Sequence, residues 1–298
     1  MQGFGAALAM FLAAGPATAG EYEIANRPDV VFAEHDGAKL AGDFYLPKGL
    51  AKAPVLVAIH GGGWRAGTRA FYRYWGLFLA RAGYAVFAID YRLGKPGRYP
   101  AAVYDAKAAV QFMRAHAAEF DIDPDRIGLM GDSAGGYLAA MLALAGDRFT
   151  KAYQGDFNPA VPSTVKAVVG FYGIYDMMAQ WKQDMTVSPG DSITEDFLGV
   201  SPAQDRQLYL EASPISYVKA DRKDVRFLLI HGENDKLVDL ASQSGAFAAA
   251  LTQAGFSASL VTVPGAGHFW ATQPFEADPH SYSVQVIPPL MRFLESWL

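Results

Sequence analysis

The chain predicts an α/β fold in which a mostly parallel central sheet carries helices on both faces. Three observations predict it. Apolar runs of strand length recur, as in Pro54-Val55-Leu56-Val57-Ala58-Ile59, with the look of strands buried on both faces. Segments of helical length separate those runs, so strand and helix alternate. Glycine-rich motifs follow several runs at their carboxyl ends, where open α/β sheets place their sites.

The elements follow in order. Residues 30–33 and 40–45 read as an antiparallel opening hairpin. The strand at 54–60 runs into His60-Gly61-Gly62-Gly63-Trp64. Consecutive glycines let main-chain N–H groups approach a substrate with no side chain in the way. Acyl transfer builds negative charge on a carbonyl oxygen and needs such donors already aimed at it. His60 reads as a loop hydrogen-bonder rather than a proton carrier. A helix is expected at about 70–82, a strand at 84–89 and a helix at about 102–118.

The strand at 127–131 leads into Gly131-Asp132-Ser133-Ala134-Gly135, and a helix over 134–145 follows. This fits the Gly-x-Ser-x-Gly nucleophile elbow, in which a tight strand-to-helix turn exposes the serine hydroxyl. The N–H of Ala134, directly after the serine, is a second kind of oxyanion donor. A strand at 165–171 comes next. The interval 174–219 is longer than one crossover helix requires, and it carries Met177, Met178, Trp181, Met185, Phe197 and Tyr209. A loop of that length is usually functional. It reads as a cap over Ser133, against the plainer alternative of a helical insertion packed on the sheet.

The strand at 225–231 ends in His231-Gly232-Glu233-Asn234-Asp235, and a helix at about 240–254 follows. The last strand, 258–263, ends in Pro264-Gly265-Ala266-Gly267-His268, and a final helix spans about 282–297. Ser133, Asp235 and His268 keep the Ser…Asp…His order of an α/β-hydrolase triad. In that reading His268 takes the proton of Ser133, while Asp235 fixes the imidazole tautomer. Asp239 is a rival acid. His231 is a rival base, read as structural because it sits at the strand end. Trp64 and Trp270 flank these motifs, and with Trp181 they are candidates to line a pocket for an aromatic or bulky group.

With these residues assembled, the chain resembles an α/β-hydrolase esterase. It is similar to the hormone-sensitive-lipase-like carboxylesterases and to the bacterial feruloyl/acetyl-xylan esterase-like group. Beyond the motifs above, the resemblance rests on Asp90-Tyr91-Arg92-Leu93, on 99–106 and on Asp123-Pro124-Asp125-Arg126-Ile127, and it covers roughly residues 30 to 298. It implies that Gly62, Gly63 and Ala134 form the oxyanion hole. Many relatives of the first group read Ala-Pro-Glu after the Tyr-Arg-Leu. This chain reads Gly94-Lys95-Pro96-Gly97-Arg98, which draws it toward the second group.

Composition narrows the chemistry further. At 298 residues and 51% hydrophobic content, the chain can bury a large core as one domain. A net charge of −5 without a basic run argues against nucleic acid. The absence of cysteine removes disulfides, thiolate metal sites and cysteine nucleophiles. The six histidines show no metal-ligand spacing, so no metal and no cofactor is expected. Phe4 to Ala14 is an apolar run, broken at Gly15-Pro16 and followed by the small-x-small site Ala17-Thr18-Ala19. It reads as a secretory leader cleaved after Ala19, too short to span a bilayer, with residues 20–298 as the exported domain. The departure from a standard leader is the missing Lys or Arg near Met1.

The expected function is a serine carboxylesterase acting on a small-molecule ester, short-chain or aromatic, secreted or periplasmic, or else cytoplasmic if the N-terminal segment is instead a docked helix of the fold. The alternatives are an amidase of the kynurenine formamidase type and a non-catalytic binding protein of the same fold.

Overall fold

The computed structural model describes residues 21–35, 37–149, 160–219, 224–275 and 278–298. The segment read as a leader, 1–19, lies outside them. Eight strands form one sheet in the order β1-β2-β4-β3-β5-β6-β7-β8. The opening hairpin, β1 (Ile24–His35) and β2 (Ala38–Pro47), pairs antiparallel and joins β4 (Ala85–Ile89) antiparallel. From β4 onward every pairing is parallel, through β3 (Ala53–Ile59), β5 (Ile122–Asp132), β6 (Ala167–Phe171), β7 (Arg226–Gly232) and β8 (Ala258–Val263).

The continuous apolar runs have a direct cause. Strand side chains alternate between faces, so a strand covered on both sides needs apolar residues throughout. In β3, Val55, Val57 and Ile59 join the core on one face of the sheet, while Leu56 and Ala58 join the core on the other. The first face is covered by α2 (Ala101–Ala115), α3 (Ala134–Ala145) and α7 (Ala246–Gln253), through Val103, Val110, Leu138 and Phe247. The second is covered by α1 (Arg73–Arg81) and α8 (Tyr282–Trp297), through Trp75, Leu79, Leu290 and Leu294.

Several boundaries differ from the expectation. β5 begins at Ile122, ahead of the apolar run, because Ala53 of β3 pairs with Ile122 across a register shift. The helix expected from 240 opens as a π-helical turn, Ala241–Gly245, before α7. Among its described residues the long interval between β6 and β7 carries three short α-helices, α4 (Met177–Val187), α5 (Ile193–Leu198) and α6 (Arg206–Glu211), and a 3-10 turn at Pro214–Tyr217. Each α-helix starts on a polar cap: Asp176 accepts from the Ala179 N–H, Ser192 from Glu195 and Asp205 from Leu208. Gly199, at φ 82°, closes α5 in the left-handed conformation that favours glycine. Among the described residues no helix is long and apolar enough to cross a membrane.

Candidate active site

The carboxyl ends of β3, β5, β7 and β8 bring the sequence motifs together at one edge of the sheet. β5 ends at Asp132 and α3 starts at Ala134, so Ser133 alone makes the turn. Its φ of 50° and ψ of −117° are costly for an L-residue, by about 1–3 kcal/mol, and persist only where the surroundings impose them. Here the Ser133 N–H donates to Phe171 O at 2.9 Å, and the Tyr137 N–H donates to Ser133 O at 3.0 Å. The turn also needs its glycines. A Cβ on Gly135 would stand 1.9 Å from Ile59 O, where α3 crosses the end of β3.

A proton relay runs outward from the serine. Ser133 Oγ lies 3.1 Å from His268 Nε2, and His268 Nδ1 lies 2.6 Å from Asp235 Oδ2. The short contact to a carboxylate places the ring proton on Nδ1, which leaves Nε2 free to accept from the hydroxyl. Asp235 is itself held. Its Oδ1 accepts from the N–H groups of Leu237 at 2.9 Å and Val238 at 3.0 Å. Burial alone would raise this carboxyl. The hydrogen bonds from His231 and His268, with the charge of His268, outweigh that and hold it well below the usual carboxylate range.

The two rivals take other positions. Asp239 Oδ2 accepts from the N–H and hydroxyl of Ser242, at 2.8 and 2.6 Å, and so starts the π-helical turn. His231 is fully buried; its Nδ1 meets Ser244 Oγ at 2.7 Å, and its Nε2 meets Val238 O at 3.0 Å and Asp235 at 3.3 Å. His231 therefore braces the back of the acid loop. His60 is equally buried, donates from Nδ1 to Gly61 O at 2.7 Å and stacks on Tyr91.

The glycine loop forms the facing wall. Gly62 and Gly63 have positive φ, 111° and 60°, and a Cβ on Gly62 would come within 2.1 Å of Ala66 O. The Arg65 and Ala66 N–H groups both donate to Gly62 O. Among the described residues no acceptor pairs with the N–H of Gly62 or Gly63, and Ala134 is the first residue of α3, where an N–H has no helical partner. Sequence reasoning missed what fixes this loop to the elbow. Asp132 Oδ1 accepts from the Gly61 N–H at 2.9 Å, across the gap between β5 and β3. Burial raises the Asp132 carboxyl to about 6; the Gly61 N–H and the charge of His268 offset only part of that.

Ser133 opens into a cavity of about 290 Å³ with Gly62, Gly63 and His268 in its walls. The other walls come from Gln180, Asp184, Val187 and Ile193 of the 174–219 segment, from Leu237 and Val238 of the acid loop, and from Phe269. None of the three expected tryptophans lines it. Trp64 is 1% exposed and stacks on Phe197 at 4.2 Å, beneath the glycine loop. Trp270 is 4% exposed and packs edge-on against Phe171 and Tyr172, where it supports the histidine loop. Trp181 donates to Glu195 Oε1 at 2.7 Å and so ties α4 to α5. The aromatic residue at the cavity is Phe269, 53% exposed, which follows His268 directly in the sequence. Among the described residues no group of His, Asp or Glu side chains could hold a metal ion.

The chain matches the family model BD-FAE over residues 42–251. The chain belongs to the BD-FAE family. Esterase LipC of Mycobacterium tuberculosis is 35% identical over 72% of this chain and 53% of that protein. Probable carboxylic ester hydrolase LipM, from the same organism, is 34% identical over 65% and 44%. This BD-FAE chain thus spans about half the length of the curated relatives it matches. Among solved structures, a truncated form of a carbohydrate esterase from gut microbiota superposes with a TM-score of 0.75 at 29% identity, over 95% of this chain and 98% of that one. The esterase Est2 of Thermogutta terrifontis, with propionate bound, superposes with a TM-score of 0.74 at 25% identity, over 94% and 96%. Fold and family membership therefore agree on an α/β-hydrolase.

Proposed function

We propose that this chain is a serine carboxylesterase that hydrolyses short-chain or aromatic esters through an acyl-enzyme on Ser133. The observation that carries the reading is the relay from Ser133 Oγ through His268 to Asp235, at 3.1 and 2.6 Å. In the first half-reaction Ser133 Oγ attacks the ester carbonyl and its proton passes to His268 Nε2. The oxygen, now negative, accepts from the Ala134 N–H and from the N–H groups of Gly62 and Gly63. Collapse of the adduct expels the alcohol, which takes the proton from His268. A water then gives its proton to the same nitrogen and attacks the acyl carbonyl, and collapse of that adduct releases the acid as His268 returns the proton to Ser133 Oγ. Asp235 keeps the tautomer correct throughout and stabilises the imidazolium.

The relatives' names as esterases favour an ester over a formamide, and the propionate complex of the Thermogutta enzyme favours a short acyl group. An intact relay argues against a purely binding role. The reading includes the 174–219 segment as the cap of the catalytic cavity, and residues 1–19 as a leader that exports the domain. The N-terminal sequence of protein recovered from outside the cytoplasm tests the leader; a start other than Gly20 counts against cleavage after Ala19.

The deciding experiment is Ser133→Ala on a panel of 4-nitrophenyl esters, methyl ferulate, acetylated xylan and N-formylkynurenine. Turnover of esters should fall to about a thousandth or less while the folded state persists. A fluorophosphonate should label the wild type at Ser133 alone. Retention of more than about a tenth of the activity removes Ser133 from the role.

A further inference from the structure

Beside the catalytic cavity lies a second cleft of about 270 Å³, and the two share Gly63 and Arg65. Its other walls include Lys95, Arg98, Asp196 and Phe197. Lys95 and Arg98 belong to the Gly94–Arg98 turn where the sequence departs from many hormone-sensitive-lipase relatives. That turn is firmly built. The Gly94 N–H donates to Trp64 O at 2.7 Å, which pins it to the glycine loop. The Gly97 N–H donates to Gly94 O at 3.0 Å, and the Tyr99 N–H donates to Phe197 O at 3.0 Å. Arg98 Nε donates to Asp196 O at 2.8 Å.

The charge in this cleft runs against that of the chain, which carries −5 overall. Three cations face it and one carboxylate, Asp196. Arg65 is matched, with Asp191 at 2.6 Å and Asp196 at 3.3 Å. Among the described residues no carboxylate pairs with Lys95 or Arg98. Two unmatched cations on a fixed turn, opening next to the oxyanion loop, favour a ligand that carries its own negative charge. A carboxylate suits them, since guanidinium and ammonium donors make their strongest hydrogen bonds to it.

We propose that Lys95 and Arg98, with Arg65 at the partition, form an anion subsite, and that the ester taken at Ser133 carries an acidic group reaching it. This rests on the esterase reading above for its reaction and on the cleft alone for its selectivity.

Matched ester pairs test it. On the acyl side the pair is mono-4-nitrophenyl glutarate and its neutral methyl ester. On the alcohol side it is 4-acetoxybenzoate and 4-acetoxybenzamide. The wild type should favour the acid about tenfold in kcat/KM in one pair, which identifies the half of the substrate that enters the cleft. Lys95→Gln with Arg98→Gln should bring that ratio close to one, and Lys95→Glu with Arg98→Glu should invert it. Raised salt should weaken the preference in the wild type. Binding of 4-acetoxybenzoate, 4-acetoxybenzamide and both glutarate esters to Ser133→Ala, followed by calorimetry, gives the same ratio without turnover. No preference for the acid in either pair overturns the subsite, as does a preference that survives both substitutions. Failure of the wild type to cleave the neutral esters counts instead against the esterase reading, and the calorimetric ratio still decides the subsite.

Discussion

Asp235 and Asp239 lie four residues apart on one loop, and both carboxylates are held below the usual range, yet their partners separate them. Asp235 faces His268 at 2.6 Å, whereas Asp239 spends its oxygen on Ser242. Asp235→Asn should cut kcat by several orders of magnitude, because the amide favours the wrong histidine tautomer. Asp239→Asn should leave kcat within about twofold and change stability by less than about 1 kcal/mol, since an amide oxygen still accepts from the Ser242 N–H. Steady-state kinetics with thermal melts on the two variants checks this, and the reverse ranking would transfer the role of acid to Asp239. Asp132 supports a prediction in pH. Burial raises it from 3.8 to about 6, so the folded state binds its proton more tightly than the unfolded chain does. Its ionisation therefore destabilises the fold increasingly as pH rises from about 4 to 6, at a cost on the order of 2–3 kcal/mol above that window. Asp132→Asn keeps an oxygen for the Gly61 N–H and removes the titration. The stability of the variant relative to wild type should therefore climb between pH 4 and 6 and level off above. A difference that is flat with pH would show that Asp132 titrates alike in both states.

At the scale of elements, the sequence was legible wherever one physical rule acted alone. Alternation buried on both faces marked β3, β6 and β7, and the strand-to-helix glycines marked the elbow at Ser133. The site residues that spacing could place were those at strand ends, since the end of a parallel strand has one possible location. The pocket was illegible because the direction of a side chain on a tight turn depends on φ, which spacing does not give. Phe269, at φ 68°, turns outward to the cavity, while Trp270 beside it turns into the core. Asp132 was hidden inside a motif whose neighbours drew the argument. The π-helical turn was hidden too, and it matters. It presents Ser244 to His231, and it presents Gln243 to the start of the 174–219 segment. Gln243 Oε1 accepts from the N–H groups of Tyr175 at 2.7 Å and Asp176 at 2.9 Å, and its Nε2 donates to Asp176 O at 2.9 Å. Gln243→Leu should leave the two buried or half-buried N–H groups of Tyr175 and Asp176 unpaired, while Asp176 O keeps the Gln180 N–H, and cost about 2–4 kcal/mol. The melting temperature should drop by about 5 °C or more. A change under about 1 °C would mean that the clamp is replaced by other contacts or by water.

For the whole molecule, such clamps border the cavity into which Ser133 opens. Gln180 Nε2 donates to Leu237 O at 2.9 Å and Gln183 Nε2 donates to Lys236 O at 2.7 Å, so α4 is bonded to the loop that carries Asp235. Together with Gln243 they join the 174–219 segment to the acid loop and to the π-helical turn ahead of α7, and Gln180, Asp184, Val187 and Ile193 of that segment line the cavity. At about 290 Å³ it stands at the small end of ligand pockets, which run from about 300 to 1,000 Å³. Its apolar walls, Val187, Ile193, Leu237, Val238 and Phe269, suit a short acyl chain or a ring. Each methylene that fits should gain about 1–3 kcal/mol in the transition state at most, and each one beyond the wall should lose a comparable amount to displaced packing. Across 4-nitrophenyl acetate, butyrate, hexanoate, octanoate and dodecanoate, kcat/KM should therefore peak at a short chain and fall by about tenfold or more beyond it. Phe269→Ala removes an exposed wall that also packs edge-on against His268, with ring centroids 4.6 Å apart, so the readout is the chain-length profile rather than absolute kcat: the peak should shift toward longer chains while the melting temperature holds. A rate that climbs steadily to the dodecanoate would mean that the segment opens in solution, and that the clamps seen here do not set the substrate's length.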